Sequence, residues 1–216
     1  SKVAVFGIGG VGSYVVEALA RAGIGSFILV DHDLVSISNI NRQLIALHST
    51  VGRPKVIVAK ERILDVNPNA SVEARQEFYL PGQDNSFLSG CSYIVDAIDT
   101  VASKLALVEA AEKTGLPILS SMGTGNKLDP SRFQIGDIYD TSVCPLCRVM
   151  RRELRDRGIR HLQVVYSPEP AAETRQLEAP SPGRRSVPAS VPWVPSTAGI
   201  LMASAIVRNL IANESE

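Results

Sequence analysis

The sequence predicts an α/β fold, namely a doubly wound, Rossmann-like and mostly parallel sheet that is extended by antiparallel strands. Two observations carry this prediction. Short strand-like segments alternate with helix-like amphipathic segments through residues 1–121, which is the pattern of βαβ units. In addition, the apolar segment Lys2–Phe6 runs directly into Gly7-x-Gly9-x-x-Gly12 and then into a helical pattern. That combination is the strand–turn–helix unit that binds nucleotide phosphates.

The elements of this first part follow from hydrophobic periodicity. Short apolar segments bounded by turn residues predict strands at Lys2–Phe6, Ser26–Asp31, Ser71–Gln76, Tyr93–Ala97 and Ile118–Ser121. Longer segments with apolar residues three and four positions apart predict helices at Val11–Ala22, Pro54–Val66 and Val101–Thr114.

The second part of the chain has a different pattern. Turn residues at Asp129-Pro130 and alternating apolar positions predict an antiparallel hairpin over 123–138. The remaining predicted elements are a basic helix at Cys147–Arg157, a strand at Gln163–Tyr166, a proline-rich loop at 167–195 and a closing apolar helix at Thr197–Ile211. We expect residues 1–216 to form a single domain, with a nucleotide-binding core at 1–121 and an extension at 122–216.

Composition narrows the class of protein. Apolar residues make up 45% of the 216 residues, and no apolar run approaches the length of a membrane span, so no membrane partner is expected. The formal net charge is zero, so any surface for an acidic partner has to be local. The odd number of cysteines, three, argues against a disulfide framework and favours a reducing, cytoplasmic location. No signal peptide is apparent.

The glycine-rich turn alone does not identify the nucleotide. Its glycines allow the backbone to approach a phosphate at the N-terminus of a helix, and any anionic nucleotide benefits. Asp31 ends the second strand 19 residues after Gly12, where an acidic side chain ordinarily binds ribose hydroxyls. This position suits the ribose of NAD and the ribose of ATP equally well.

The segment after Asp31 favours ATP. Asn39 and Arg42 follow the end of the second strand, and Lys55 lies in the first turn of a helix that begins at Pro54. Two cations beside one nucleotide suit a triphosphate, and an acidic residue after the fourth strand, at Asp99, suits Mg²⁺ beside phosphates. Taken singly, each of these side chains is equally consistent with a solvated surface group or a helix cap.

Taken together, these motifs resemble the ThiF/MoeB/ubiquitin-activating superfamily, whose members adenylate a carboxylate. The motifs that carry the resemblance are Gly7–Gly12, Asp31-x-Asp33, Ser38-Asn39, Arg42-Gln43, Gly52-x-x-Lys55 and Asp96-x-x-Asp99. The resemblance implies that ATP and Mg²⁺ are used, with Asp31 on the ribose and Asp99 on the metal. The full nucleotide-binding set that it implies is Gly7, Gly9, Gly10, Gly12, Asp31, Asp33, Asn39, Arg42, Gln43, Lys55 and Asp99. Of these, Arg42, Lys55 and Asp99 would act directly in catalysis. Asp96 is interpreted as structural.

The cysteine pair Cys144-Pro-Leu-Cys147 has three interpretations. Superfamily members that activate sulfur carriers usually have two such pairs, which form a four-sulfur zinc site, whereas this chain adds only the distant Cys91. The pair could belong to a zinc site completed by other ligands, could supply a catalytic thiol, or could be two buried cysteines at the start of a helix. Adenylation of a carboxylate needs no thiol.

Residues 141–170 and 193–211 resemble one branch of the superfamily, the tRNA threonylcarbamoyladenosine dehydratases. Members of this branch activate the carboxylate of threonylcarbamoyladenosine with ATP, and a neighbouring nitrogen closes a ring with net loss of water. Two alternatives stay open at this point. One is adenylation of the C-terminus of a ubiquitin-like sulfur carrier, and the other is a non-catalytic NAD- or FAD-binding module.

The same resemblance implies partners. It predicts tRNA as the substrate, a homodimer, and a protein partner of the sulfur-transfer or cysteine desulfurase type. In the superfamily an N-terminal helix carries an arginine that reaches across the dimer to the triphosphate, and this helix would precede Ser1.

A local basic surface is predicted on the helix at Cys147–Arg157. Arginines spaced three and four positions apart share one helix face, and arginine geometry suits phosphate oxygens. This predicted tRNA-binding face consists of Arg148, Arg151, Arg152 and Arg155. The alternative is a solvated face with internal ion pairs to Glu153 and Asp156. The pair Arg184-Arg185 in the proline-rich loop is a second candidate for tRNA contacts.

Overall fold

The computed structural model describes residues 1–174 and 189–213. Within these ranges a seven-stranded sheet has the order β3-β2-β1-β4-β5-β7-β6, in which only β6 is antiparallel to its neighbour. The strands are β1 Lys2–Phe6, β2 Ser26–Val30, β3 Ser71–Arg75, β4 Tyr93–Asp96, β5 Ile118–Ser121, β6 Gln134–Asp137 and β7 Gln163–Tyr166. The α-helices are α1 Gly12–Arg21, α2 Lys55–Val66, α3 Val101–Thr114, α4 Pro145–Asp156 and α5 Trp193–Asn213.

The central strands are buried on both faces because helices cover both sides of the sheet. Along β1, Val3 and Val5 belong to the core that includes residues of α1, α2 and α5. The intervening Ala4 and Phe6 pack into a second core with residues of α3. This arrangement explains why the central strands read as continuous apolar runs rather than as alternating patterns.

The predicted fold class is confirmed, and the strands and helices of residues 1–121 lie within one residue of their predicted bounds. The predicted hairpin over 123–138 is wrong. Only Gln134–Asp137 forms a strand there, and it pairs in antiparallel register with β7, so that Gln134 lies opposite Tyr166. The turn at Asp129-Pro130 starts a short 3₁₀-helix, with the Asp129 carboxylate accepting from the Ser131 N–H at 2.9 Å.

The proline-rich segment also differs from its prediction. Helix α5 begins at Trp193, four residues earlier than expected, because Pro195 lies in its first turn, where the missing N–H costs no hydrogen bond. Residues 175–188 of the predicted loop, with Arg184 and Arg185, lie outside the described residues.

The expectation that no apolar segment approaches the length of a membrane span is wrong for helix α5, because its window Trp193–Ala212 is long and apolar enough by length and composition alone. Half of that window is buried within the protein. The helix packs closely on α1, since a Cβ added at Gly199 would lie 2.5 Å from the Val11 carbonyl oxygen. A core helix has these properties as readily as a membrane span does.

Candidate active site

A cavity of about 680 Å³ lies at the carboxyl ends of β1, β2, β4 and β5. The chain reverses its winding direction here, because β1 lies between β2 on one side and β4 on the other. Ligands of open α/β sheets bind at this kind of crevice. All of the predicted nucleotide-binding residues except Gly12 line the cavity.

The glycine-rich turn is built for close backbone contact. Gly7 has a φ of +86°, and a Cβ there would lie 2.6 Å from the Ala97 carbonyl oxygen. Gly12 does not face the cavity, but a Cβ there would lie 1.8 Å from the Gly7 carbonyl oxygen. Gly12 therefore allows α1 to pack against β1, and Gly7 allows the turn to pass close to β4, which leaves Gly9 and Gly10 facing the cavity.

Asp31 is a buried carboxylate held by the backbone. Its Oδ2 accepts from the Ile8 N–H at 2.6 Å, and its Oδ1 accepts from the Asp33 N–H at 2.8 Å. These contacts tie the end of β2 to the glycine-rich turn. Each carboxylate oxygen keeps a second lone pair, so Asp31 is positioned to accept from a ribose hydroxyl.

Lys55 brings a buried ammonium to the same cavity. The lysine is 4% exposed, and its Nζ lies 2.7 Å from Oδ2 of Asp33, whose side chain is half exposed. His32 contacts Oδ1 of Asp33 at 3.1 Å. The Asp33 carboxylate thus orients Lys55 while leaving its remaining donors available.

Arg42 is a partly buried cation that binds neutral oxygens. Its Nη1 donates to the Ser38 carbonyl and to Asn41 Oδ1, both at 3.0 Å. Burial lowers the pKa of Arg42, and across residues 1–174 and 189–213 no carboxylate lies within 4.0 Å of its guanidinium. Asn39 helps to shape this loop by accepting from the Ser36 N–H at 3.1 Å.

Gln43 carries a buried acceptor that has no partner. The residue is 6% exposed, it lines the cavity, and its Oε1 makes no hydrogen bond in the part of the chain that the structure describes. Leaving such an atom unpaired costs about 1–3 kcal/mol. The glycine turn and Arg42 fit the anionic part of a ligand, whereas this acceptor fits a hydroxyl or amine donor of the same ligand.

The two aspartates after β4 differ in environment. Asp96 is fully buried, ion-paired with Lys104 Nζ at 2.9 Å and hydrogen-bonded by the Ser120 hydroxyl. It also accepts from the Ile98 N–H at 3.2 Å, which agrees with a structural role. Asp99 is exposed at the cavity wall, and the Thr100 hydroxyl donates to it at 3.4 Å.

The cavity extends beyond the predicted residues to a second group of side chains. Loop 121–127 follows β5, the strand next to β4, and contributes Ser121, Thr124, Asn126 and Lys127. The sequence GTGNK offered only a turn signal here, and its hydrogen bonds to residues 167–172 and to Ala189 are long-range. Sequence reasoning therefore missed this half of the cavity.

Both cysteines of the Cys144–Cys147 pair are buried at the N-terminus of α4, and Cys144 lines the cavity. Hydrogen bonds from the Cys147 thiol and from three backbone N–H groups lower the pKa of Cys144 to about 5. The bond to Cys144 raises the pKa of Cys147. Over the described ranges, the one cluster of three metal-ligand side chains is Asp31, His32 and Asp33, which includes neither cysteine.

Cys144 should therefore ionise at an unusually low pH. We expect thiolate ultraviolet absorbance, taken as wild type minus Cys144→Ser, to titrate with a midpoint near pH 5, against about 8.5 for an ordinary cysteine. Burial raises the pKa of Cys91, so that thiol should not titrate in this range. Cys147→Ala removes the main donor, which the hydroxyl of Cys147→Ser would keep, and should raise the midpoint. An ordinary midpoint in the wild type would contradict the assignment. Both serine variants should retain substantial turnover.

The arginines of α4 do not all share the predicted face. Arg148, Arg152 and Arg155 are exposed, whereas Arg151 is half-buried and donates to the Thr141 carbonyl at 2.9 Å and to the Thr141 hydroxyl. Arg151 therefore holds the turn that precedes α4, because it lies next to the buried Cys147–Met150–Leu154 stripe. Glu153 pairs with Arg152 at 2.8 Å, as the alternative interpretation expected.

Comparison with known proteins agrees with this geometry. The ThiF family model matches residues 1–215, and the chain belongs to the ThiF family. Over 221 residues, covering 98% of this chain and 87% of the relative, it is 44% identical to the tRNA threonylcarbamoyladenosine dehydratase of Bacillus subtilis (strain 168). Over 161 residues, covering 74% of this chain and 60% of the relative, it is 40% identical to the enzyme of the same name from Escherichia coli (strain K12).

Solved structures give the same result. Crystal structures of the E. coli tRNA N6-threonylcarbamoyladenosine dehydratase in complex with AMP and with ATP each match with a TM-score of 0.90. Sequence identity is 33% and 32%, over 100% of this chain and 87% of that chain. The predicted resemblance is thereby confirmed.

Proposed function

We propose that this protein is an ATP-dependent enzyme that cyclises threonylcarbamoyladenosine in tRNA with net loss of water. The observation that carries the proposal is the incomplete polar lining of the cavity. Arg42 has no carboxylate among the described residues, Gln43 Oε1 has no partner there, and both face a glycine turn at the N-terminus of α1. The phosphates of a nucleotide triphosphate would satisfy Arg42 and the glycine turn, and a ribose hydroxyl or the amine of the base would supply the donor for Gln43 Oε1. The relatives' activity and the ATP-bound structure support the same assignment.

The chemistry explains why no activated serine or cysteine is required. The substrate carboxylate is already ionised at neutral pH, so its oxygen attacks the α-phosphorus and pyrophosphate leaves. The neighbouring nitrogen then attacks the activated carbonyl carbon, loses its proton, and AMP leaves with the carboxylate oxygen. Both steps depend on positioning and on neutralisation of phosphate charge, because ring closure is intramolecular.

The residues divide between these tasks. Asp31 would bind the ribose, and Arg42, Lys55, Asn39 and the glycine turn would bind the phosphates. The exposed carboxylate of Asp99 fits Mg²⁺, which prefers one or two carboxylates together with phosphate oxygens. When bound there, Mg²⁺ would neutralise charge on the transferring phosphoryl group.

The nucleotide class can be tested by binding. We expect ATP with Mg²⁺ to raise the melting temperature of the wild type, and NAD to leave it within error. Arg42→Ala should reduce the ATP effect, because the variant lacks a cation that the described residues leave uncompensated. Stabilisation by NAD but not by ATP would instead support a non-catalytic dinucleotide-binding module.

The exposed arginines of α4 support a role in binding the tRNA backbone. The double variant Arg148→Gln/Arg152→Gln removes two charges and should weaken the binding of all substrate tRNAs alike. The slope of log affinity against log salt concentration should become smaller by roughly one unit per lost phosphate contact. Arg151 is left intact because its guanidinium holds the turn at Thr141. Arg21→Gln, an exposed arginine at the far end of α1, is the matched control and should change nothing. Unchanged affinity and slope in the double variant would move the tRNA contact elsewhere.

Assembly and location complete the proposal. Exposed apolar side chains concentrate in segment 34–57, which supports a homodimer, to be tested by light scattering at micromolar concentration. They are Leu34, Ile37, Leu47, Val51 and Ile57, each at least 37% exposed. A monomer would contradict this.

Three reduced cysteines and a tRNA substrate support a cytoplasmic enzyme with a single adenylating domain. The lowered pKa of Cys144 is the observation that supports a sulfur-transfer or cysteine desulfurase-type partner.

A further inference from the structure

Three lysines are buried in the described part of the chain, and one of them differs from the others. Lys55 pairs with Asp33 at 2.7 Å, and Lys104 pairs with Asp96 at 2.9 Å. Lys127, which is 5% exposed, has no carboxylate within 4.0 Å among residues 1–174 and 189–213. A buried ammonium is costly unless an opposite charge compensates it.

The Lys127 ammonium is held in a fixed position by backbone oxygens. Its Nζ donates to the Glu169 carbonyl at 2.7 Å and to the Ser167 carbonyl at 3.2 Å. An ammonium has three donors, so one is left over. The Glu169 carboxylate forms no ion pair with this ammonium within 4.0 Å and accepts instead from the N–H groups of Leu128 and Asp129.

The preceding residue fixes the backbone at Lys127. Asn126 has a φ of +57°, an uncommon value for a residue other than glycine. Its carbonyl accepts from the Ala172 N–H at 2.7 Å, and its side-chain Oδ1 accepts from the Ala189 N–H, also at 2.7 Å. A strained backbone that is fixed on two sides is typical of a binding loop.

Lys127 also lies in the appropriate part of the cavity. It lines the same cavity as Asp99, Arg42 and the glycine turn, but it comes from the loop after β5 rather than from the nucleotide-binding segments. The modified base has to enter beside ATP. The negative charge that its threonylcarbamoyl group carries is the carboxylate to be activated.

We propose that Lys127 binds the carboxylate of the threonylcarbamoyl group and presents it to ATP. This inference rests on the proposed function, since it names the group that recognises the substrate of that reaction. The free N–H of the ammonium would hold one carboxylate oxygen and leave the other for attack on phosphorus. Lys127 would thereby select a free carboxylate over an uncharged ester.

The test compares two small ligands, the nucleoside N6-threonylcarbamoyladenosine and its methyl ester, each titrated with ATP analogue and Mg²⁺ present. We expect the wild type to bind the acid about tenfold more tightly than the ester, as for one charge-assisted hydrogen bond. In Lys127→Met the preference should fall to nearly one, while ATP affinity stays within about twofold. Lys127→Arg should keep part of the preference. A loss of structure alone would lower both ligand affinities and ATP affinity together.

A second measurement does not depend on any variant. A water-soluble carbodiimide activates the nucleoside carboxylate, an adjacent amine displaces the urea, and an amide results. Peptide mass spectrometry of the wild type should place this amide on Lys127. An amide on Lys55 instead, or an unchanged acid-to-ester preference in Lys127→Met, would overturn the inference while the proposed function stands. A wild type that binds neither compound and fails to cyclise tRNA would contradict the proposed function itself.

Discussion

Asp99→Ala should reduce the rate of ATP-dependent cyclisation about a thousandfold or more. A loss of this size corresponds to the several kcal/mol by which a catalytic metal stabilises charge in the transition state. Asp99 is an exposed carboxylate in the loop between β4 and α3, and its removal leaves the buried Asp96–Lys104 pair beneath it intact. The variant should therefore keep its melting temperature while losing turnover. Multiple-turnover assays over a range of Mg²⁺ concentrations measure this.

The control for this prediction is Asp65→Ala, which removes an exposed carboxylate on α2 and should leave turnover unchanged. Asp99→Asn separates charge from shape, because it keeps the size of the side chain and should be nearly as inactive as the alanine variant. Wild-type turnover in Asp99→Ala would show that the metal is bound by other residues.

Lys55→Ala should lower kcat roughly 30- to 1,000-fold. This corresponds to a loss of about 2–4 kcal/mol of transition-state stabilisation, by analogy with loss of one preorganised oxyanion donor. The ammonium is 4% exposed and is oriented by Asp33 at 2.7 Å, so in the proposed mechanism it would bind phosphate at little reorganisation cost. Single-turnover measurement of pyrophosphate release isolates this step from ring closure and from product release.

Lys113→Ala, at the exposed end of α3, is the matched control and should behave as wild type. Asp33→Asn should produce a smaller loss than Lys55→Ala, because it frees the ammonium without removing it. Equal kcat in Lys55→Ala and Lys113→Ala would mean that Lys55 serves only the ion pair with Asp33.

The sequence predicted the nucleotide-binding half well because its determinants are local. The strand β1, the glycine turn and α1 are consecutive, and apolar runs of four or five residues define the parallel strands without reference to distant partners. The polar residues that follow each strand converge because parallel strands end at the same edge of the sheet. For this reason the sequence could place Asp31, Arg42, Lys55 and Asp99 at one edge of the sheet, and the structure brings all four to the same cavity.

Long-range pairing limited the rest. Strand β6 pairs with β7 across the whole of α4, and no local signal distinguishes that partner from a nearer one. Arg151 follows the helical spacing of an exposed stripe, but the Thr141 turn captures its guanidinium. Lys127 gave no signal at all, because its role depends on Glu169 and on a cavity wall that only the folded chain assembles.

The mechanism above requires that the substrate carboxylate attacks the α-phosphorus of ATP and becomes adenylated, and transfer of labelled oxygen distinguishes this route from the others. Substrate tRNA would carry threonylcarbamoyladenosine with both carboxylate oxygens isotopically heavy, and the purified protein would be supplied with ATP and Mg²⁺. The account predicts one heavy oxygen in AMP for each cyclic nucleoside formed, with pyrophosphate unlabelled. Cyclic product accompanied by ADP and heavy inorganic phosphate, or formed without ATP, would contradict it.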